Sequence, residues 1–225
     1  MLARMIPSLL LGLVGVAVLM SLGFWQLSRL DEKLGQIAAI EARIGDVPRP
    51  LPADPDAATD RFRPVTVDGR HTGEVVHVLS SREGFGPGSR VIGVFETEAG
   101  RRILVDRGFL PEAARGAAAF VSDPVTVTGN LDWPRDTDGY TPEPDLARGL
   151  WFSREVEPIA AHLGTEPVML VARADAPVPG LVPAPLDSAG LRNDHLEYAI
   201  TWFLLAATWA GMTALLLWRI RQNRA

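Results

Sequence analysis

Two uncharged runs, residues 5–28 and 198–218, bracket a long polar stretch, and they limit what this chain can fold into more than any other feature. Roughly 20 apolar residues in helical form cross the hydrocarbon core of a bilayer, so each run is long enough to span one. The architecture expected is a membrane protein with two transmembrane helices flanking a β-rich (α+β) extracytoplasmic domain, barrel- or sandwich-like. A cleaved signal peptide is the competing reading of the first run, with Ser21 and Gly23 as small residues before a cut at Phe24. Its apolar stretch is longer than the roughly 7–15 residues of a signal core, which favours a retained span.

Charge gives the orientation. The N-terminal tail carries Arg4, and the C-terminal tail carries Arg219, Arg221 and Arg224 with no acid. Basic flanks stay in the cytoplasm, so both termini are expected there and the central domain across the membrane. The simplest setting is a bacterial inner (plasma) membrane, because the apolar run begins too close to Met1 to leave room for a mitochondrial presequence. Four of the 22 Lys and Arg residues lie in the tails, leaving 18 in the middle against all 27 Asp and Glu. A domain this acidic lacks the basic face that nucleic acid demands. There is no cysteine, which excludes disulfides, thiolate metal sites and cysteine nucleophiles.

The chain divides as follows. Residues 1–28 form the N-terminal tail and first span. Residues 29–46 form an amphipathic helical extension, with Leu30, Leu34, Ile37, Ile40 and Ile44 at spacings of three and four and Gly45 as its stop. Residues 47–60, with four prolines, form a connector, and 61–176 the β-rich domain. A second connector covers 177–194, the second span 195–218, and a basic tail 219–225. Within the domain, strands are expected over 65–67, 75–79, 91–95, 103–105, 125–127 and 168–171. They are separated by turns at Asp68-Gly69, Thr72-Gly73, Gly84 to Gly88, Ala99-Gly100 and Asp123-Pro124. A helix is expected over 153–163, capped by Ser153.

Signatures of catalysis are missing, and no enzyme is expected. His71 and His77 would share a face of an uninterrupted strand, but the turn between them argues for two exposed strand histidines rather than a metal pair. Gly84-Phe85-Gly86-Pro87-Gly88 lacks the following helix of a phosphate loop and reads as a hairpin. Ser80 and Ser81 lack nucleophile-elbow glycines. Asp106 and Asp123 read as solvated or turn-forming acids, and Arg107 as a locally paired strand end.

The outer ends of the two spans hold the chemistry. The first span leaves the membrane where the second enters, so residues 24–29 and 193–198 lie at one interface. Ser8, Gly12 and Gly15 on one helix, and Ala206, Ala207, Ala210 and Gly211 on the other, are small enough for close pairing. His195, Tyr198, Trp202 and Trp209 share one helical stripe. A neutral imidazole above aromatic faces suits a haem iron, and Arg29 suits haem propionates. A belt of interfacial aromatics with a histidine bonded to headgroups fits the same residues.

Three motifs resemble the Surf1 (Shy1-like) family of cytochrome c oxidase assembly proteins. They are Gly23-Phe24-Trp25-Gln26-Leu27-Ser28-Arg29 with Lys33, Leu104-Val105-Asp106-Arg107-Gly108-Phe109-Leu110-Pro111, and Asn193-Asp194-His195-Leu196-Glu197-Tyr198-Ala199-Ile200-Thr201-Trp202. Arg63 to Gly69 and Gly129-Asn130-Leu131 add weaker similarity. The resemblance implies an assembly factor that binds haem a as transient cargo, with His195 as iron ligand and Tyr198, Trp202, Trp25 and Arg29 around it. It implies as partners the catalytic subunit of a haem-copper terminal oxidase, haem a synthase and membrane lipid. Phe109 stands where the family pattern has Trp, and Asp194 where it often has Asn. The alternative is a haem-free membrane chaperone, in which Trp25, Gln26, Tyr198 and Trp202 form a helix-docking face.

Overall fold

A computed structural model describes residues 2–117, 119–188 and 193–222. Met1, residues 189–192 of the second connector and Arg224 of the basic tail lie outside the described residues. The chain forms two compact units, one of Met1–Ala39 with Ser188–Ala225, the other of Ile40–Asp187. In chain order the elements are α1 (Leu2–Ile44), β1 (Arg49–Pro50), α2 (Ala57–Asp60), β2 (Pro64–Arg82), β3 (Gly86–Thr97) and β4 (Arg102–Pro111). There follow a 3₁₀ turn (Glu112–Ala117), β5 (Val125–Leu131), β6 (Leu150–Trp151), α3 (Val156–Leu163), β7 (Met169–Ala174) and α4 (His195–Gln222). Both α1 and α4 contain segments long and apolar enough to cross a membrane.

The β-rich unit is one mixed sheet in the order β1-β2-β3-β4-β7-β5, with β6 alongside β2. Its organising element is β2. The strands expected at 65–67 and 75–79 are one 19-residue strand, which pairs with β5 over Pro64 to Gly69 and with β3 from Gly69 to Arg82. Both ends of the strand order thus use β2, and the sheet folds over its own core in a sandwich-like manner. Gly69 is not a turn. It sits in the strand because a side chain there would meet Glu96 O, 2.1 Å from the position of its Cβ. The core between the layers includes Val65, Val76, Ile92, Phe95, Ile103, Leu104, Val127, Leu131, Ile159 and Leu170, all essentially inaccessible. Ile159 comes from α3, whose N-cap is Glu155 rather than Ser153.

Bulges account for the failed expectations about His71, Asp106 and Arg107. The register of β2 shifts between His71 and Val75, which changes the alternation, so Val76 and Val78 face the core with His71 and His77 turns to the other face. His71 is therefore buried rather than exposed, with its ring edge-on to Phe95. In β4, Val91 pairs with Gly108 and Ile92 with Asp106, leaving Arg107 as the extra residue. Two consecutive charged side chains thereby enter the interior, contrary to the expectation of a solvated acid and a strand-end arginine. Asp106 is fully buried and receives Nε and Nη2 of Arg90 at 3.1 and 2.6 Å. Arg107 is 4% exposed and donates to Asp175 Oδ2 at 2.7 Å, Phe120 O and Ala176 O. His71 Nε2 reaches the other oxygen of Asp175 at 2.7 Å. Gly108 carries the backbone out of the bulge at φ 127°, facing Val182 O too closely to admit a Cβ.

The helical extension ends inside this unit. Asn130, fully buried on β5, donates its amide to Ile44 O and Phe62 O at 3.0 and 2.9 Å. Arg173 also reaches Ile44 O, and Arg43 bonds Thr59 O. A helix leaves its last carbonyls unpaired, so this is a tertiary cap for α1. Gly129 precedes Asn130 because a Cβ would strike Val171 O at 2.2 Å.

Breaking a buried pair by removing one partner costs about 3–5 kcal/mol. Arg90→Met is expected to destabilise by that order, read as the urea midpoint of the full chain in detergent. Asp175 gives an acid limb to stability. Burial pushes its carboxyl up, but the His71 hydrogen bond and the His71 and Arg107 charges outweigh burial and hold it below its usual 3.8. A carboxyl depressed in the folded state stabilises fully above its unfolded pKa and loses that contribution as pH falls through the folded value. Unfolding midpoints should drop below about pH 3.8, with part of the drop absent in Asp175→Asn.

Candidate functional site

The helical unit is built on close approach. On α1, Gly12, Gly15 and Gly23 face α4 so tightly that a Cβ would lie 2.2 Å from Thr213, 2.2 Å from the Trp209 indole and 2.5 Å from the Phe203 ring. Gly12 thus faces Thr213 and Gly23 faces Phe203, the pairing of antiparallel helices. Ala199 and Ala206 are buried on the facing side of α4. Helices in lipid gain little from hydrophobic contact and associate where small residues let the backbones pack. The alanines expected to do this are only partly the ones used. Ala206 is in the seam, while Ala207, Ala210 and Gly211 point outward, Gly211 having open space at its Cβ position. Phe24 closes the seam edge-on against Phe203 at 5.4 Å.

At the end of the seam, the residue next after Gly23 on that face is Gln26, only 9% exposed in this apolar surrounding. Its Oε1 lies 2.8 Å from Nδ1 of His195, the first residue of α4. An amide oxygen only accepts, so this contact is a hydrogen bond when Nδ1 is the donor, and in a neutral ring of that tautomer Nε2 would hold the lone pair. Two residues earlier, the buried Asn193 Oδ1 has no hydrogen-bond partner among the described residues.

The other residues expected at the site lie nearby along the same helices. Tyr198, one turn into α4, is 54% exposed, and Trp202 is half-buried. Trp25 is 51% exposed on α1, with the Arg29 guanidinium 5.8 Å from its ring centroid. Arg29 is also paired with Glu32 at 2.7 Å. Gln26, rather than Trp25, is thus the residue of this segment that the structure brings to His195. A signal for it was present in the sequence: Gln26 continues, three residues on, the face that carries Gly12, Gly15 and Gly23. Deeper in the pair, an apolar groove of about 530 Å³ is lined by Gly15, Val18, Leu19, Leu205, Trp209 and Met212, with Thr208 its polar contribution.

Elsewhere, among the described residues, no cluster of three or more His, Asp or Glu could hold a metal. His77 bonds Ser89 Oγ at 3.0 Å, and burial followed by the Arg115 charge pushes its pKa down. His162 packs on Trp151 and is exposed.

The sequence model of the SURF1 family matches residues 13–207. The human protein named Surfeit locus protein 1 is 33% identical over 208 residues, covering 83% of this chain and 69% of that protein. The Rattus norvegicus protein of that name is 31% identical over 216 residues, covering 85% and 69%. The Xenopus tropicalis protein is 30% identical over 223 residues, covering 88% and 71%. The matched stretch contains the seam from Gly15 to Phe203 and the Gln26–His195 contact.

The seam makes a checkable claim, because the chain offers no native thiol. A cysteine placed at Ala206, 3% exposed, should react slowly with a membrane-permeant maleimide. Adding Gly15→Val should speed labelling severalfold by forcing the helices apart, and Gly211→Val should leave it unchanged.

Proposed function

This chain belongs to the SURF1 family, and on that premise we propose that it is an assembly factor for haem-copper (cytochrome c) oxidase. In this reading it binds haem a at the outer membrane interface and promotes insertion of that haem into the catalytic subunit. It is a carrier and not an enzyme, set in a bacterial inner membrane with both termini cytoplasmic and the β-rich domain outside. The catalytic subunit of the oxidase receives the cargo, and haem a synthase is the natural source.

The observation that carries the reading is the contact of His195 Nδ1 with Gln26 Oε1. Iron-ligating histidines commonly give their second ring nitrogen's proton to a carbonyl or carboxylate, which orients the ring and leaves the ligand nitrogen bare. His195 has this arrangement with Gln26, so the donor set fits a haem. Haem a as cargo supplies an iron that accepts one imidazole, propionates that seek positive charge, and a long hydrocarbon tail. Tyr198 and Trp202 follow His195 on its stripe and offer aromatic surface. Arg29 is held by an exposed pair with Glu32, and such pairs are worth about 0–1 kcal/mol, so exchange of Glu32 for a propionate costs little. The apolar groove between the helices suits a hydrocarbon tail. His195 as a single protein ligand would hold the cargo while leaving it free to be released.

The same helix pair would equally serve a haem-free chaperone that holds the oxidase subunit, with the Gln26–His195 bond as a structural clip. Haem extraction separates the two. Full-length protein, purified in detergent from cells that make haem a, should show about one haem a per chain. His195→Ala should lose it, and the surface control His162→Ala should keep it. A folded preparation without haem, or one whose His195→Ala variant keeps full haem with unchanged ligation, would sink the carrier reading in favour of the chaperone.

A further inference from the structure

We propose that Gln26 is a positioning residue that fixes the ring tautomer of His195, presenting Nε2 as a bare ligand nitrogen even before any haem arrives. The inference rests on the reading of His195 as a haem ligand and deepens it, since it assigns the neighbouring helix a chemical part in the site.

Neutral imidazole has one protonated nitrogen, and in free histidine it is mostly Nε2 that carries the proton. A ring in that form has its lone pair on Nδ1, close to its own backbone, and must lose or move a proton before Nε2 can bind iron. The amide oxygen of Gln26, 2.8 Å from Nδ1, reverses the preference, because it can only accept. With Nδ1–H held, the lone pair rests on Nε2, at the outer tip of the side chain. The hydrogen bond also puts partial negative charge on the ring, making Nε2 a stronger donor to iron.

Two features make this more than a helix clip. Gln26 is buried to 9% exposure in an apolar seam, where an amide costs desolvation free energy unless it is paired, so it has strong reason to remain on His195. Also, α1 brings it there by close packing at Gly23, one turn away, so the position of Oε1 is set by backbone contact rather than by a flexible loop. The partners come from different spans, 169 positions apart. The ligand is therefore correctly prepared only when the two helices are assembled.

The first test uses haem-free full-length protein in detergent micelles, labelled with ¹⁵N-histidine. The wild type should show His195 with a protonated Nδ1 and a pyridine-type Nε2. Gln26→Leu should shift it to the Nε2–H form, and Gln26→Glu, which keeps an acceptor, should retain Nδ1–H. The second test titrates iron protoporphyrin IX into the same proteins. Gln26→Leu should bind roughly 10–100-fold more weakly, the usual cost of losing such a supporting contact. Gln26→Glu should bind with near wild-type affinity and a lower reduction potential, because a charged acceptor makes the ring more basic. A wild-type His195 protonated on Nε2, or Gln26→Leu with unchanged tautomer and unchanged potential, would overturn the proposal. If the tautomer behaves as stated but His195→Ala binds the porphyrin as well as wild type, the carrier reading fails and the tautomer assignment stands by itself.

Discussion

The close approach of α1 and α4 is the constraint on which the candidate site depends. Glycine at positions 12, 15 and 23 removes the side chains that would hold the helices apart, and Thr213, Trp209 and Phe203 fill the space. Only in that packing can Gln26 and His195 come within hydrogen-bond distance. In lipid, where apolar contact alone gives little reason to associate, backbone proximity and one buried polar bond supply the attraction. The small residues of α1 therefore bear on the Gln26–His195 contact as well as on packing.

The β-rich unit manages charge in a different way. Titratable side chains are drawn inward at two irregularities, His71 at the β2 shift and Asp106 and Arg107 at the β4 bulge. Asp106 and Asp175 each receive an arginine, and Asp175 takes His71 as well. Buried pairs of this kind add little net stability but make the loss of either member costly. That explains why Asp106-Arg107-Gly108 reads as one motif: the acid pairs with β3, the arginine reaches the segment after β7, and the glycine lets the strand resume beside Val182. Asn130 and Gly129 form a similar unit, one capping α1 and the other admitting Val171.

The two long apolar helices, the run of α1 to Ile44 and most strands were legible in the sequence, because each follows from the spacing of apolar residues along a single segment. The cap of α3 shifted by two residues, a small displacement of a local signal. The buried charges were not legible. Asp106 and Arg107 look like a strand end until the pairing of Val91 with Gly108 reveals the bulge, and the partner Asp175 lies 68 positions from Arg107. Gly69 was misread for a related reason: a glycine in Asp-Gly signals a turn locally, whereas its actual cause is a carbonyl on a neighbouring strand. At the helix ends, His195 stood out by residue type, but its partner depended on which face of α1 meets α4.

The double use of β2 bears on the order in which the protein is made. Its pairing with β3, and that of β3 with β4, joins neighbours in the chain and can form as soon as these strands have been synthesised. The β5 pairing, and the parallel match of Leu104 to Asp106 with Met169 to Val171, await segments synthesised much later. Such non-local pairings carry a loop-closure cost and form slowly. Until β7 has been synthesised, β4 lacks one neighbour and Asp106 and Arg107 sit at an open edge. The unfinished chain thus presents charge where the finished one is sealed, which keeps that edge hydrated and discourages premature pairing with other chains.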